Sequence, residues 1–198
     1  MTSQAPAPAP QVARPPIPSH RLVMIIFLAA ETMLFTGLLG GYAVLRISEK
    51  MWPPEGQPLL PIGAGALNLL LLAAGSFGIA SAVRGARGAS QRRLVRGILL
   101  SVAAGAIFLG VLGVEWVRLF REGLTLESGG TYATLFYTLT GCHALHVLAV
   151  VIWTVALLAL AGRDRFSPAH HEPIEMAAMF WHFVTVAWLV LFVILYPL

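Results

Sequence analysis

Five long apolar runs, separated by short polar connections, dominate the chain: residues 22–45, 61–83, 95–119, 132–161 and 175–198. Each has the roughly 20 residues needed to cross about 30 Å of hydrocarbon at 1.5 Å per helical residue. A lone strand cannot satisfy its backbone in lipid, so the runs are expected to be helices. The pattern predicts an all-α fold, a polytopic membrane protein built as a bundle of five transmembrane helices. The fourth run is overlong and is expected to tilt or to leave the membrane before it ends. The connections leave no room for a second domain, so one transmembrane domain is expected over 21–198. Residues 1–20, with APAPAP and RPPIP, lack the apolar centre of a signal peptide and read as a disordered Ala/Pro-rich tail.

Composition agrees with this reading. Of 198 residues, 58% are hydrophobic and 11% charged, against about a quarter charged in soluble domains. The charges also suggest an orientation. Arg14, Arg21, Arg84, Arg87, Arg92, Arg93, Arg96, Arg163 and Arg165 fall on one side, against Arg46, Lys50, Arg118 and Arg121 on the other. The more basic side is expected to be cytoplasmic, with the N-terminus inside and Leu198 outside. The sequence pI near 9.8 then reflects topology, and no nucleic-acid partner is implied. Arg84, Arg92, Arg93 and Arg96 are candidates for contact with lipid headgroups, and Trp181 is a further lipid-facing candidate.

Small residues recur every fourth position: Gly37 and Gly41; Ala74, Gly78 and Ala82; Gly97, Ser101 and Gly105. Such stripes let helices approach closely in lipid and are read as general packing, with a dimerisation face as the alternative.

The candidate chemistry lies in a few ionisable groups within the spans. An ionisable residue at membrane depth is costly and must be paired, hydrated or useful. His143 and His146 share one helix face. They read either as ligands to a metal ion or haem, or as imidazoles hydrogen-bonded to neighbouring helices. With no third ligand at a diagnostic spacing, the structural reading is preferred, His182 is assigned to the same polar core, and no metal site is expected. Cys142, the lone cysteine, is read as packing. Glu31 lies about 14 Å past the start of its span, where it either handles protons or serves as a neutral structural acid. Glu115 beside Arg118 reads as an interfacial ion pair, and Glu175 as an acid suited to a helix N-terminus.

These residues also carry a resemblance. Glu31-Thr-Met-Leu-Phe35 followed by Gly41-Tyr42-Ala43, and Glu115-Trp116, are similar to segments of subunit III of the haem–copper oxidases. So are Tyr132-Ala-Thr-Leu-Phe136, Gly141-Cys-His-Ala-Leu-His-Val147, His170-His171, Glu175 and Trp181-His-Phe-Val184 with Trp188. The chain resembles the five-helix bacterial form. Thr185 departs from the pattern by standing where an aspartate is common. The resemblance implies a non-catalytic subunit with no catalytic residue and no cofactor of its own, in a bacterial cytoplasmic membrane. Haem and copper would reside in partner subunits. It would flank the catalytic subunit I, with subunit II and other respiratory-complex subunits in the assembly, bind phospholipid and support proton uptake. Quinol oxidase and nitric oxide reductase-associated relatives remain open alternatives. A haem-binding membrane anchor and a small transporter are the readings from other classes; the transporter is disfavoured because no span is broken by proline in its middle.

Overall fold

The computed structural model describes residues 18–162, 166 and 170–196. Arg14, Arg163, Arg165, Pro197, Leu198 and most of the expected N-terminal tail lie outside the described residues. Five helices follow in chain order: α1 (Ser19–Ser48), α2 (Ile62–Arg87), α3 (Gln91–Arg121), α4 (Gly130–Ala161) and α5 (Glu172–Leu195). All five are long and apolar enough to cross a membrane. Ser19 and His20, grouped with the tail by composition, are already helical. Most ends run a few residues past the apolar runs, because arginine and glutamine propagate a helix as readily as leucine does.

The helices alternate in direction. At one end, the arginine-rich end, Arg21 of α1 and Arg87 of α2 meet Glu175 of α5, and Gln91 of α3 hydrogen-bonds to the carbonyl of Ala161 of α4. At the opposite, tyrosine-bearing end, Tyr42 donates to the carbonyl of Ile194, and Tyr132 to that of Pro58.

Glycine brings α2 and α3 into backbone contact. A Cβ on Gly97 would lie 2.5 Å from the carbonyl oxygen of Gly78 and 2.6 Å from the nitrogen of Ala82, and one on Gly78 would lie 2.8 Å from the oxygen of Gly97. Ser101 reinforces the seam by donating to the carbonyl of Gly75 at 2.8 Å. The stripes on α2 and α3 therefore serve packing within the bundle. Gly37 and Gly41 on α1 have nothing within 4 Å of an added Cβ, so that stripe packs against no part of the described chain.

Indole rings fill the centre. Trp181 is wholly buried, lies over Gly75 and Gly105, and donates to Thr154 Oγ1 at 2.8 Å. The expectation that Trp181 faces lipid is therefore corrected: glycines on α2 and α3 leave an indole-sized space beneath it. Helix α1 is the loosest member, meeting only α4 and α5 among the helices. Its buried residues are Met24, Phe35 and Tyr42.

Candidate functional site

The ionisable residues form three separate polar arrangements. In the middle of the bundle, Glu31 Oε2 lies 2.7 Å from His146 Nε2. His146 Nδ1 lies 2.7 Å from the carbonyl oxygen of Cys142, one turn earlier on α4. A carbonyl only accepts, so Nδ1 must carry a hydrogen and donate it. That leaves Nε2 to meet the carboxyl, and one further proton is shared between them, either on Glu31 or on the imidazole. Phe35 flanks the pair, with its ring centroid 5.1 Å from that of His146. Glu31 thus faces α4 and has the imidazole partner that its depth requires.

The second arrangement lies at the arginine-rich end and joins three helices. Glu175 Oε2 accepts from Arg21 at 2.6 and 3.1 Å, and its Oε1 accepts from Arg87 at 2.5 and 3.0 Å. His171 Nε2 reaches the same Oε1 at 2.9 Å. Glu175 does occupy the first turn of α5, where a negative charge suits the helix dipole. Sequence reasoning stopped there and missed its partners, two arginines and a histidine. A signal was available, because the start of span one, the end of span two and the start of span five all lie at one membrane face. Beside this cluster runs a groove of about 630 Å³ bordered by Arg21, Arg84, Arg87, Met179 and His182. Arg84, Arg92, Arg93 and Arg96 are all exposed at this end.

His182 borders that groove rather than lying in the core. It is exposed and hydrogen-bonds through Nδ1 to Ser76 Oγ, which corrects its assignment to the polar interior. Thr185 donates to the carbonyl of Trp181 at 2.8 Å and lies 3.2 Å from that of Leu72 on α2. A neutral hydroxyl therefore serves there with two carbonyls as its neighbours.

The third arrangement lies toward the tyrosine-bearing end. Glu115 is buried and accepts from Tyr196 at 2.9 Å. The expected ion pair with Arg118 is corrected, since the Arg118 guanidinium bonds Glu122, one turn along α3, at 2.7 Å. His143 is fully buried among rings, with centroids of Trp188, Phe108 and Phe35 at 5.1, 5.6 and 6.2 Å. Neither of its ring nitrogens has a hydrogen-bond partner among the described residues, contrary to the expected link to a neighbouring helix. His143 and His146 share a face but have different surroundings.

Among the described residues, the histidines of the spans have other surroundings than a shared metal site. His146 is committed to Glu31 and a carbonyl, His182 to Ser76, and His143 is enclosed by aromatic rings. Among the described residues, no three His, Cys, Asp or Glu side chains converge on a point that could hold a metal ion.

A family model described as cytochrome c oxidase subunit III matches residues 18–198. Cytochrome c oxidase subunit 3 of Synechocystis sp. is 34% identical over 179 residues, covering 88% of this chain and 74% of the relative. That of Thermostichus vulcanus is 31% identical over 183 residues, covering 91% and 89%. A probable cytochrome c oxidase subunit 3 of Nocardia farcinica is 33% identical over 178 residues, covering 87% and 84%. With its five spanning helices and its ordered motifs all inside the match, this chain belongs to the cytochrome c oxidase subunit III family.

Proposed function

We propose that this chain is the non-catalytic third subunit of a proton-translocating cytochrome c oxidase in a bacterial cytoplasmic membrane. It flanks the haem- and copper-bearing catalytic subunit and supports proton uptake toward it. The arginine-rich end is cytoplasmic, as the distribution of Lys and Arg favours. The observation that carries the reading is the Glu31–His146 pair, two titratable side chains in contact at 2.7 Å within the spans. Such a pair holds one proton either as a neutral acid beside a neutral imidazole or as an ion pair, and neither form leaves an unpaired charge in the hydrocarbon. The arginines bordering the groove at the same end favour a phospholipid headgroup there, which would fix lipid on the flank of the catalytic subunit.

The test is Glu31→Gln in the purified oxidase. The amide keeps the shape and can donate to His146 Nε2, but it removes the titratable proton. The expected result is normal assembly and haem content, with slower proton uptake during turnover. Unchanged uptake and turnover would assign Glu31 a structural role only. Family membership also admits a quinol-oxidizing complex, and the haem proteins that co-purify with this chain in mild detergent distinguish the two.

A further inference from the structure

Three polar side chains toward the tyrosine-bearing end are buried with atoms left unpaired. Asn68 of α2 is fully buried, and neither amide atom has a partner; on α3, Oε2 of Glu115 has none; on α4, neither ring nitrogen of His143 has one. One aromatic wall borders His143 and Glu115 and meets α2 one turn before Asn68. The Trp188 ring lies 5.1 Å from that of His143, and its indole donates to the carbonyl of Gly65 at 3.1 Å, one turn before Asn68. The Tyr196 ring lies 6.2 Å from Trp188, and its hydroxyl donates to Glu115.

The surrounding hydrocarbon offers these atoms nothing, and an unsatisfied polar group is strongly disfavoured there. A neighbouring subunit cannot reach side chains this deeply buried. The five unpaired atoms are mixed in kind: an amide that both donates and accepts, a carboxyl oxygen, and an imidazole with one donor and one acceptor nitrogen. A bound water needs two to four polar partners of mixed kind, and this set supplies them from three helices. We infer that Asn68, Glu115 and His143 form a binding site for internal water molecules, closed by Trp188 and Tyr196. The site is separate from the Glu31–His146 pair and does not rest on the function proposed above.

The test is a density map of the intact complex, or of the chain in a lipid nanodisc, at a resolution that shows ordered water. At least two densities are expected within roughly 2.6–3.2 Å of the unpaired atoms. Direct pairing of the three side chains, or side-chain density with none between, overturns the inference. Asn68→Leu supplies a second readout through the sign of its effect. If the amide is dry and unpaired, leucine raises the thermal midpoint. If the amide anchors water, leucine lowers the midpoint and removes the density beside His143. A raised midpoint therefore also overturns the inference.

Discussion

Replacing Glu175 with glutamine should loosen α1 more than any other part of the bundle. The carboxylate receives guanidinium groups from α1 and α2 at 2.6 and 2.5 Å and is itself only 9% exposed, while Arg21 and Arg87 are 44% and 52% exposed. Solvent-exposed ion pairs contribute about 0.2–1 kcal/mol each, and breaking a fully buried pair costs roughly 3–5 kcal/mol. With one partner buried and two half-exposed, a loss of about 2 kcal/mol is expected for the substitution. About half of that, the share of the Arg21 bridge, bears on α1; at 1.4 kcal/mol per factor of ten, roughly 1 kcal/mol moves the equilibrium between docked and peeled α1 by about fivefold. Little else opposes the movement, since α1 otherwise holds on through Glu31, Tyr42 and a few rings. Cys142 is a native reporter: it is the only cysteine in the chain and lies one turn before the imidazole that Glu31 meets. Its labelling by a membrane-permeant maleimide, read by mass spectrometry of the peptide, should accelerate by about that factor. Arg21→Gln should give a similar acceleration, whereas Arg87→Gln, which leaves the α1 link intact, should give less. An unchanged rate in Glu175→Gln, in complex that retains this chain, would refute the view that the ion cluster clamps α1.

Gly97→Ala puts a methyl group against backbone atoms of α2 that cannot rotate away; it should cost about 1–3 kcal/mol, seen as loss of this chain during detergent purification. Trp181→Phe removes the donor to Thr154 and should lower stability by about 1 kcal/mol, whereas Trp181→Ala should cost roughly 3–5 kcal/mol by opening a cavity; thermal denaturation of the complex distinguishes them. Reporter fusions after Gly88 and Leu198 should report opposite sides of the membrane, cytoplasmic and external respectively. Both on one side would contradict the proposed orientation.

The helical fold was legible because five apolar runs of spanning length admit few other arrangements in lipid. The polar contacts were less legible, because each joins residues far apart in the chain. Glu31 and His146 were singled out separately, yet their pairing spans 115 residues, and no local spacing encodes it. Glu175 had a sufficient local explanation at its helix start, which concealed the ion cluster. Trp181 looked like an interfacial aromatic because its own helix gives no sign of the space beneath it, which is left by Gly75 and Gly105 on two other helices. Glu115 had a basic neighbour in sequence, but its hydrogen bond comes from Tyr196, 81 residues away.

The long-range anchoring of α1 also has a consequence for how the chain is made. Helix α1 is synthesised before its partners on α4 and α5, which lie 115 to 154 residues downstream. At 5–20 residues per second, His146 follows Glu31 out of the ribosome by on the order of ten seconds. During that interval the newborn first helix carries an acidic side chain without its imidazole. A nascent chain stalled before His146 should therefore leave α1 exchanging between lipid and the insertion machinery, and release of the stall should commit it. Subunit biogenesis thus contains a waiting step whose length is set by the distance in sequence between an acid and its base.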